Sequence, residues 1–268
     1  GMIDVGPDGK QRMVWHDSQR SAQHHLKVVQ VAAAHKIAVN AHEPIKDTGL
    51  RRTYPNWVAR EGARGMEYQA WGVPGNPASH VPTLYFTRML SGPMDYTPGV
   101  LSLKGRGGRD LESTLARQLS LYMTLYSPIQ MIADDPENLK QFPREMEFLR
   151  VVPADWAETH TLLGSVGDYV VVARKDRNSE DWYIGGTTNA DERTVTVPLT
   201  FLGNGAYKAQ IYRDGDAASG YGPDRHDIVI EEKTVTAADT LDLRMAPAGG
   251  FAVRLVPVKG KTKGKGTR

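Results

Sequence analysis

The chain has 268 residues, 40% hydrophobic and 24% charged, with a formal net charge of +2, which suits one large globular domain or two modest ones. No apolar run approaches the roughly 20 residues that span a bilayer, and residues 1–11 are polar and Gly-rich, so neither a membrane partner nor an export signal is expected. There is no cysteine, which excludes disulfides and thiolate metal sites and leaves oxygen and imidazole as the only metal donors.

Residues 17–35 read as a helix, because Ala22, Leu26, Val29 and Ala33 fall on one face. Residues 36–40 (KIAVN) follow as a short buried parallel strand, ended by Pro44. The stretch from Trp57 to Tyr68 mixes Gly with charges, has no clean period, and reads as a loop. A second strand is predicted over residues 83–87, leading into a Gly/Pro loop at 91–99. A strong helix is predicted over 109–126, with Leu111, Leu115, Leu119, Tyr122 and Tyr126 on one face. Asp135-Pro136 opens another, which ends near Pro153. Beyond Trp156 the pattern turns to short β-rich runs at 168–174, 181–188, 194–199, 207–212, 226–231, 240–243 and 251–256. Gly- and Asp-rich turns separate them, the signature of an antiparallel sandwich or barrel. The last ten residues hold Lys259, Lys261, Lys263, Lys265 and Arg268 and no acid, so +2 less these five leaves −3 for the body. With no apolar face this tail is expected to be disordered, and with no interleaved aromatics it is not read as binding nucleic acid.

Three carboxylates stand out. Glu43 directly follows the first strand, while Glu61 and Glu67 share the aperiodic loop with Arg60 and Arg64. Paired carboxylates can supply the acid and the base or nucleophile of glycosidic cleavage, and clustered Glu oxygens suit calcium. The two arginines are placed to hold such carboxylates ionised. On spacing alone, solvated surface ion pairs explain this segment at least as well. His42, beside Glu43, is a candidate for a sugar hydroxyl or a satisfied half-buried histidine. His24 and His25 read as helix residues. Tyr54, Trp57, Tyr68, Trp71 and Tyr96 cluster in the same region, as sugar platforms or as core.

Several ordered segments carry a family likeness: VNAHE at 39–43, TGLRRTYPN at 48–56, REGARGMEY at 60–68, FTRMLSGPMDYTPG at 86–99, ARQL at 116–119, YSPIQM at 126–131 and DWYIG at 181–185. Together they resemble glycoside hydrolase family 97 over nearly the whole chain up to about Pro257. The resemblance implies the C-terminal portion of such an enzyme. Residues 1–158 would be the later part of a catalytic (β/α)8 barrel, 159–258 an antiparallel β-sandwich domain, and 259–268 a basic tail.

Family 97 comprises exo-acting α-glucosidases and α-galactosidases with a calcium ion beside the sugar. By resemblance Glu67 is the general acid, Glu43 and Glu61 bind calcium, and His42 and Arg64 contact substrate. The other catalytic carboxylate is expected in a preceding region with no evident match here, Asp4 and Asp17 included. The isolated chain is therefore expected to be inactive, with that N-terminal half as partner and a terminal α-glycoside as substrate. An α-glucoside with inversion is the first reading and an α-galactoside the alternative. A non-catalytic sugar-binding or assembly module is the competing class. Full-length members are expected in the periplasm or outside the cell.

Overall fold

A computed structural model of the protein describes residues 2–258; the basic tail, 259–268, lies outside them. The chain opens with an antiparallel hairpin of β1 (Met2–Val5) and β2 (Gln11–Val14). Helix α1 (Gln19–Ala34) follows, with Ser18 as its N-cap, whose hydroxyl accepts from the Ser21 N–H. Strand β3 (Val39–Ala41) lies parallel to β4 (Trp57–Arg60), and between them runs the short helix α2 (Leu50–Thr53). Val29 of α1, Ile45 and Trp57 form a small buried cluster behind this pair. The sequence reading gave β4 to a loop. Its four residues are too short to display a period, and neighbouring β3 makes it a strand.

Helix α3 (Tyr68–Trp71) and helix α4 (His80–Phe86) come next. The strand predicted over 83–87 is therefore corrected to helix over 83–86, with Thr87 just beyond the helix end. Its β-branched and aromatic residues carry β propensity, yet Val81, Pro82 and Leu84 bury a helical face and tertiary packing overrides propensity. A 3-10 turn, Arg88–Ser91, follows. The long predicted helix is realised only as α5 (Leu115–Thr124), capped by the Thr114 hydroxyl. Asp135 caps α6 (Pro136–Leu139), and Pro143, which cannot donate to a preceding turn, starts a separate α7 (Pro143–Leu149). Among the described residues no helix is long and apolar enough to cross a membrane.

The remainder is antiparallel β-structure. Strands β5 (Trp156–Ser165), β6 (Tyr169–Asp176), β7 (Trp182–Thr188), β9 (Tyr207–Asp214), β10 (Ile228–Val235) and β12 (Gly250–Pro257) make one sheet in the order β10-β9-β12-β7-β6-β5. Strands β8 (Arg193–Pro198) and β11 (Thr240–Met245) form a ribbon. Alternate residues of the sheet serve two cores. Ala173, Ile184, Ile211 and Val253 pack with Val195, Val197, Leu241 and Leu243 of the ribbon. Tyr183, Tyr212 and Ala252 face the other way, onto Leu115, Leu119 and Met123 of α5 and Phe148 of α7. The central strands are thus buried on both faces, which explains apolar runs such as Tyr169-Val170-Val171-Val172-Ala173. The 158/159 division drawn from sequence falls within β5.

Candidate active site

In a parallel pair both strands end on the same edge. Ala41 of β3 lies opposite Arg60 of β4, and the ladder continues with the Glu61 N–H donating to the Ala41 carbonyl at 2.9 Å. A third segment joins alongside: Arg60 bridges Met94 in parallel, and the Asp95 N–H donates to the Arg60 carbonyl at 2.9 Å. Three chain segments therefore deliver His42 and Glu43, Glu61, and Asp95 to one edge.

Asp95 is the residue that sequence reasoning missed. Its side chain is 1% exposed, and its carboxylate accepts from His42 Nε2 at 2.8 Å, Asn40 Nδ2 at 2.6 Å and Thr97 Oγ1 at 2.9 Å. The bond to Nε2 fixes the imidazole and turns Nδ1 towards Glu61 Oε2, 3.8 Å away. Burial alone would lower the His42 pKa. The Asp95 hydrogen bond and the charges of Glu61, Asp95 and Glu67 outweigh it, and the pKa is raised.

Glu61 is itself half-buried, and burial raises its carboxyl pKa. His42 and the Glu43 N–H pull it back, while Glu67 and Glu43 push it further up. His42, Glu61 and Glu67 each bring one potential ligand atom within 4.8 Å of the others. Glu43, at a left-handed φ of 43°, lines the same cleft without joining that close group. The cleft has a volume of about 790 Å³, and Glu43, Glu61, Arg64 and Glu67 all border it.

The arginines do not do what their spacing suggested. Arg60 is buried, pairs with Asp47 at 3.0 Å and lies over the Trp57 ring at 3.6 Å. Arg64 stacks on Tyr68 at 4.1 Å. Neither forms an ion pair with Glu61 or Glu67 among the described residues. The aromatic candidates divide as well. Trp57 and Tyr96 are core, and the Tyr54 hydroxyl accepts from Gln30. Tyr68 and Trp71 line the cleft, joined by Trp15, which sequence reading passed over; Trp15 and Trp71 are largely exposed. His25 stacks on Trp57 and hydrogen-bonds the Ser21 carbonyl, as a helix residue does.

Two family profiles match this chain: "Glycoside hydrolase 97" over residues 7–63 and "Glycosyl-hydrolase 97 C-terminal, oligomerisation" over residues 155–256. The chain belongs to glycoside hydrolase family 97. A family 97 enzyme of Pseudoalteromonas sp. strain K8, solved in complex with acarbose, is 48% identical with a TM-score of 0.90, over 96% of this chain and 40% of that one. A variant of the same enzyme was solved with panose, at 47% identity, a TM-score of 0.90 and the same coverage. Among curated proteins, a retaining alpha-galactosidase of Bacteroides thetaiotaomicron is 32% identical over 247 residues, 89% of this chain and 37% of that protein. This family 97 chain thus spans well under half the length of these relatives.

Proposed function

We propose that this chain is the acid- and metal-bearing portion of an exo-acting, calcium-dependent α-glycosidase that removes terminal α-linked sugars. The observation that carries the reading is the meeting of Glu67, Glu61 and His42 within 4.8 Å beside a cleft bordered by exposed indole rings. Residues 1–158 are taken as the later part of a (β/α)8 barrel, because β3, β4 and residues 93–95 form a parallel arc whose following loops carry the site. Residues 159–258 are taken as its β-sandwich domain.

In this scheme Glu67, exposed on the cleft, protonates the glycosidic oxygen as the leaving group departs. His42, its ring held by Asp95, is assigned to a sugar hydroxyl beside the cleft, and Arg64, which borders the cleft, to the sugar as well. Glu43 and Glu61 are assigned to calcium. Their fit rests on donor chemistry: oxygen ligands converge where Glu61 is crowded by two further carboxylates and has only His42 as a charged partner among the described residues. Calcium there would supply positive charge to the carboxylates and an anchor for sugar oxygens. The second catalytic carboxylate is assigned to the remaining length of the family.

A terminal α-glucoside is the favoured substrate, because the 48%-identical enzyme was solved with acarbose and a variant of it with panose, a trisaccharide of α-linked glucose. The α-galactoside alternative rests on the more distant curated relatives. The test is a chimera in which this chain follows the preceding region of the Pseudoalteromonas enzyme. It is expected to hydrolyse panose in a calcium-dependent manner. Glu67→Gln should lower that rate by about 10²–10⁴-fold while sparing α-glucosyl fluoride, whose leaving group needs no acid. Equal losses on both substrates would refute the acid role.

A further inference from the structure

Arg88 opens the 3-10 turn after α4 and bears no charge partner: it forms no ion pair among the described residues. Yet all five of its N–H donors are used. Nε donates to the Glu61 carbonyl at 3.1 Å. Nη2 donates to the carbonyls of Arg60 at 3.0 Å and Pro93 at 3.2 Å. Nη1 donates to the Gly92 carbonyl at 3.1 Å and Ser91 Oγ at 3.2 Å. Every acceptor is a neutral oxygen. They lie on two segments: the end of β4, which leads through Glu61 to Glu67, and the 91–93 turn, which leads to Asp95.

We infer that Arg88 is a positioning residue of the active site, setting the carboxylates of Glu61 and Glu67 at a fixed spacing from the Asp95-held His42. The inference rests on the proposed function. Among the described residues the backbone joins the two segments by the Arg60–Met94 bridge, the Asp95-to-Arg60 bond and, further along, the Met66 N–H bond to the Tyr96 carbonyl at 2.8 Å; the planar guanidinium ties Glu61 itself to the 91–93 turn. Its fit is close, for a Cβ at Gly62, where φ is +61°, would stand 3.0 Å from Arg88 Nε. The electrostatics agree with a geometric role. Burial lowers the Arg88 pKa, Arg60 and Arg51 lower it further, and Asp47 opposes them, so the cation is retained against unfavourable surroundings. Lysine offers three donors on one tetrahedral nitrogen and cannot span both segments.

The test compares the chain with Arg88→Lys and Arg88→Ala variants. Two readouts are used: the His42 Nε2–H resonance in histidine-selective NMR, and calcium affinity by calorimetry. Arg88→Lys is expected to keep the β-sheet amide spectrum, lose the Asp95-bonded Nε2–H signal, and bind calcium about 10–100-fold more weakly, as loss of an outer-shell partner does. Guanidinium ion at sub-denaturing concentration should restore both in Arg88→Ala, and methylammonium should restore neither. Retention of the signal and affinity in Arg88→Lys would overturn the inference, as would a collapse of the β-sheet spectrum in both variants. If the unaltered chain shows the Nε2–H signal but binds no calcium, the metal assignment fails and Arg88 is judged on the resonance alone.

Discussion

Asp214 ends β9 inside the joint between the sheet and α5, and it offers a pH-dependent test of that joint. It is fully buried. Its Oδ2 accepts from the N–H groups of Ala246 and Gly250, both at 2.8 Å, while Oδ1 finds no hydrogen-bond partner among the described residues. Burial pushes its pKa up from 3.8 to about 6, against the Thr114 hydroxyl, the two N–H groups and Arg244, which pull it down. A carboxyl whose folded pKa is raised binds its proton more tightly when folded. Its contribution to stability is therefore full below pH ~4 and is lost as pH rises through ~6. Two pH units at 1.36 kcal/mol each put the loss at about 3 kcal/mol. Asp214→Asn cannot ionise, and its amide oxygen can keep both backbone bonds. Urea unfolding of the two proteins from pH 4 to 7.5 cancels the other carboxylates in the difference. That difference should drift by about 3 kcal/mol in favour of asparagine as pH rises. A constant difference, or a drift favouring aspartate, would show that the folded pKa is not raised and that the joint is open to water.

Other consequences can be checked by thermal melts. Calcium at 100 times its dissociation constant should stabilise the chain by about 2.7 kcal/mol, and Glu61→Gln should abolish most of that shift; an equal shift in the variant would place the ion elsewhere. Gly185→Ala puts a Cβ 2.7 Å from both the Ser120 carbonyl and Met123 Cβ of α5, and overpacking there should cost about 1–3 kcal/mol. An unchanged melting temperature would mean that α5 is not seated against β7. Buried Arg174 donates from Nε to the Met123 carbonyl at 2.6 Å and from Nη1 to Thr159 Oγ1 at 2.7 Å. Arg174→Met leaves a carbonyl of the last α5 turn unsatisfied, for a loss of about 1–3 kcal/mol; a neutral result would mean that another donor replaces it.

What the sequence determined by itself was local or repetitive. The Asp135 cap acts within two residues of itself, and the alternating runs after Trp156 announce strands whatever their partners. Ordered motifs such as REGARGMEY and DWYIG carried the family. The sequence was weaker where an element is short or its neighbour decides: β4 needed β3 beside it, and residues 83–86 became helix once Val81 and Leu84 had a core to fill. The site was legible as a set of residue types and illegible as a network. Glu43, Glu61, Glu67 and His42 were all singled out, but Arg60 and Arg64 were paired with the wrong partners, because spacing along a loop does not fix where a long side chain goes. Asp95 lies 53 residues from His42 and 55 from Asn40, and Arg88 lies 27 from Glu61. No periodicity reports such contacts. Only the parallel alignment of three chain segments brings them together, because that alignment is set by the packing of the whole sheet edge and not by any one of its strands.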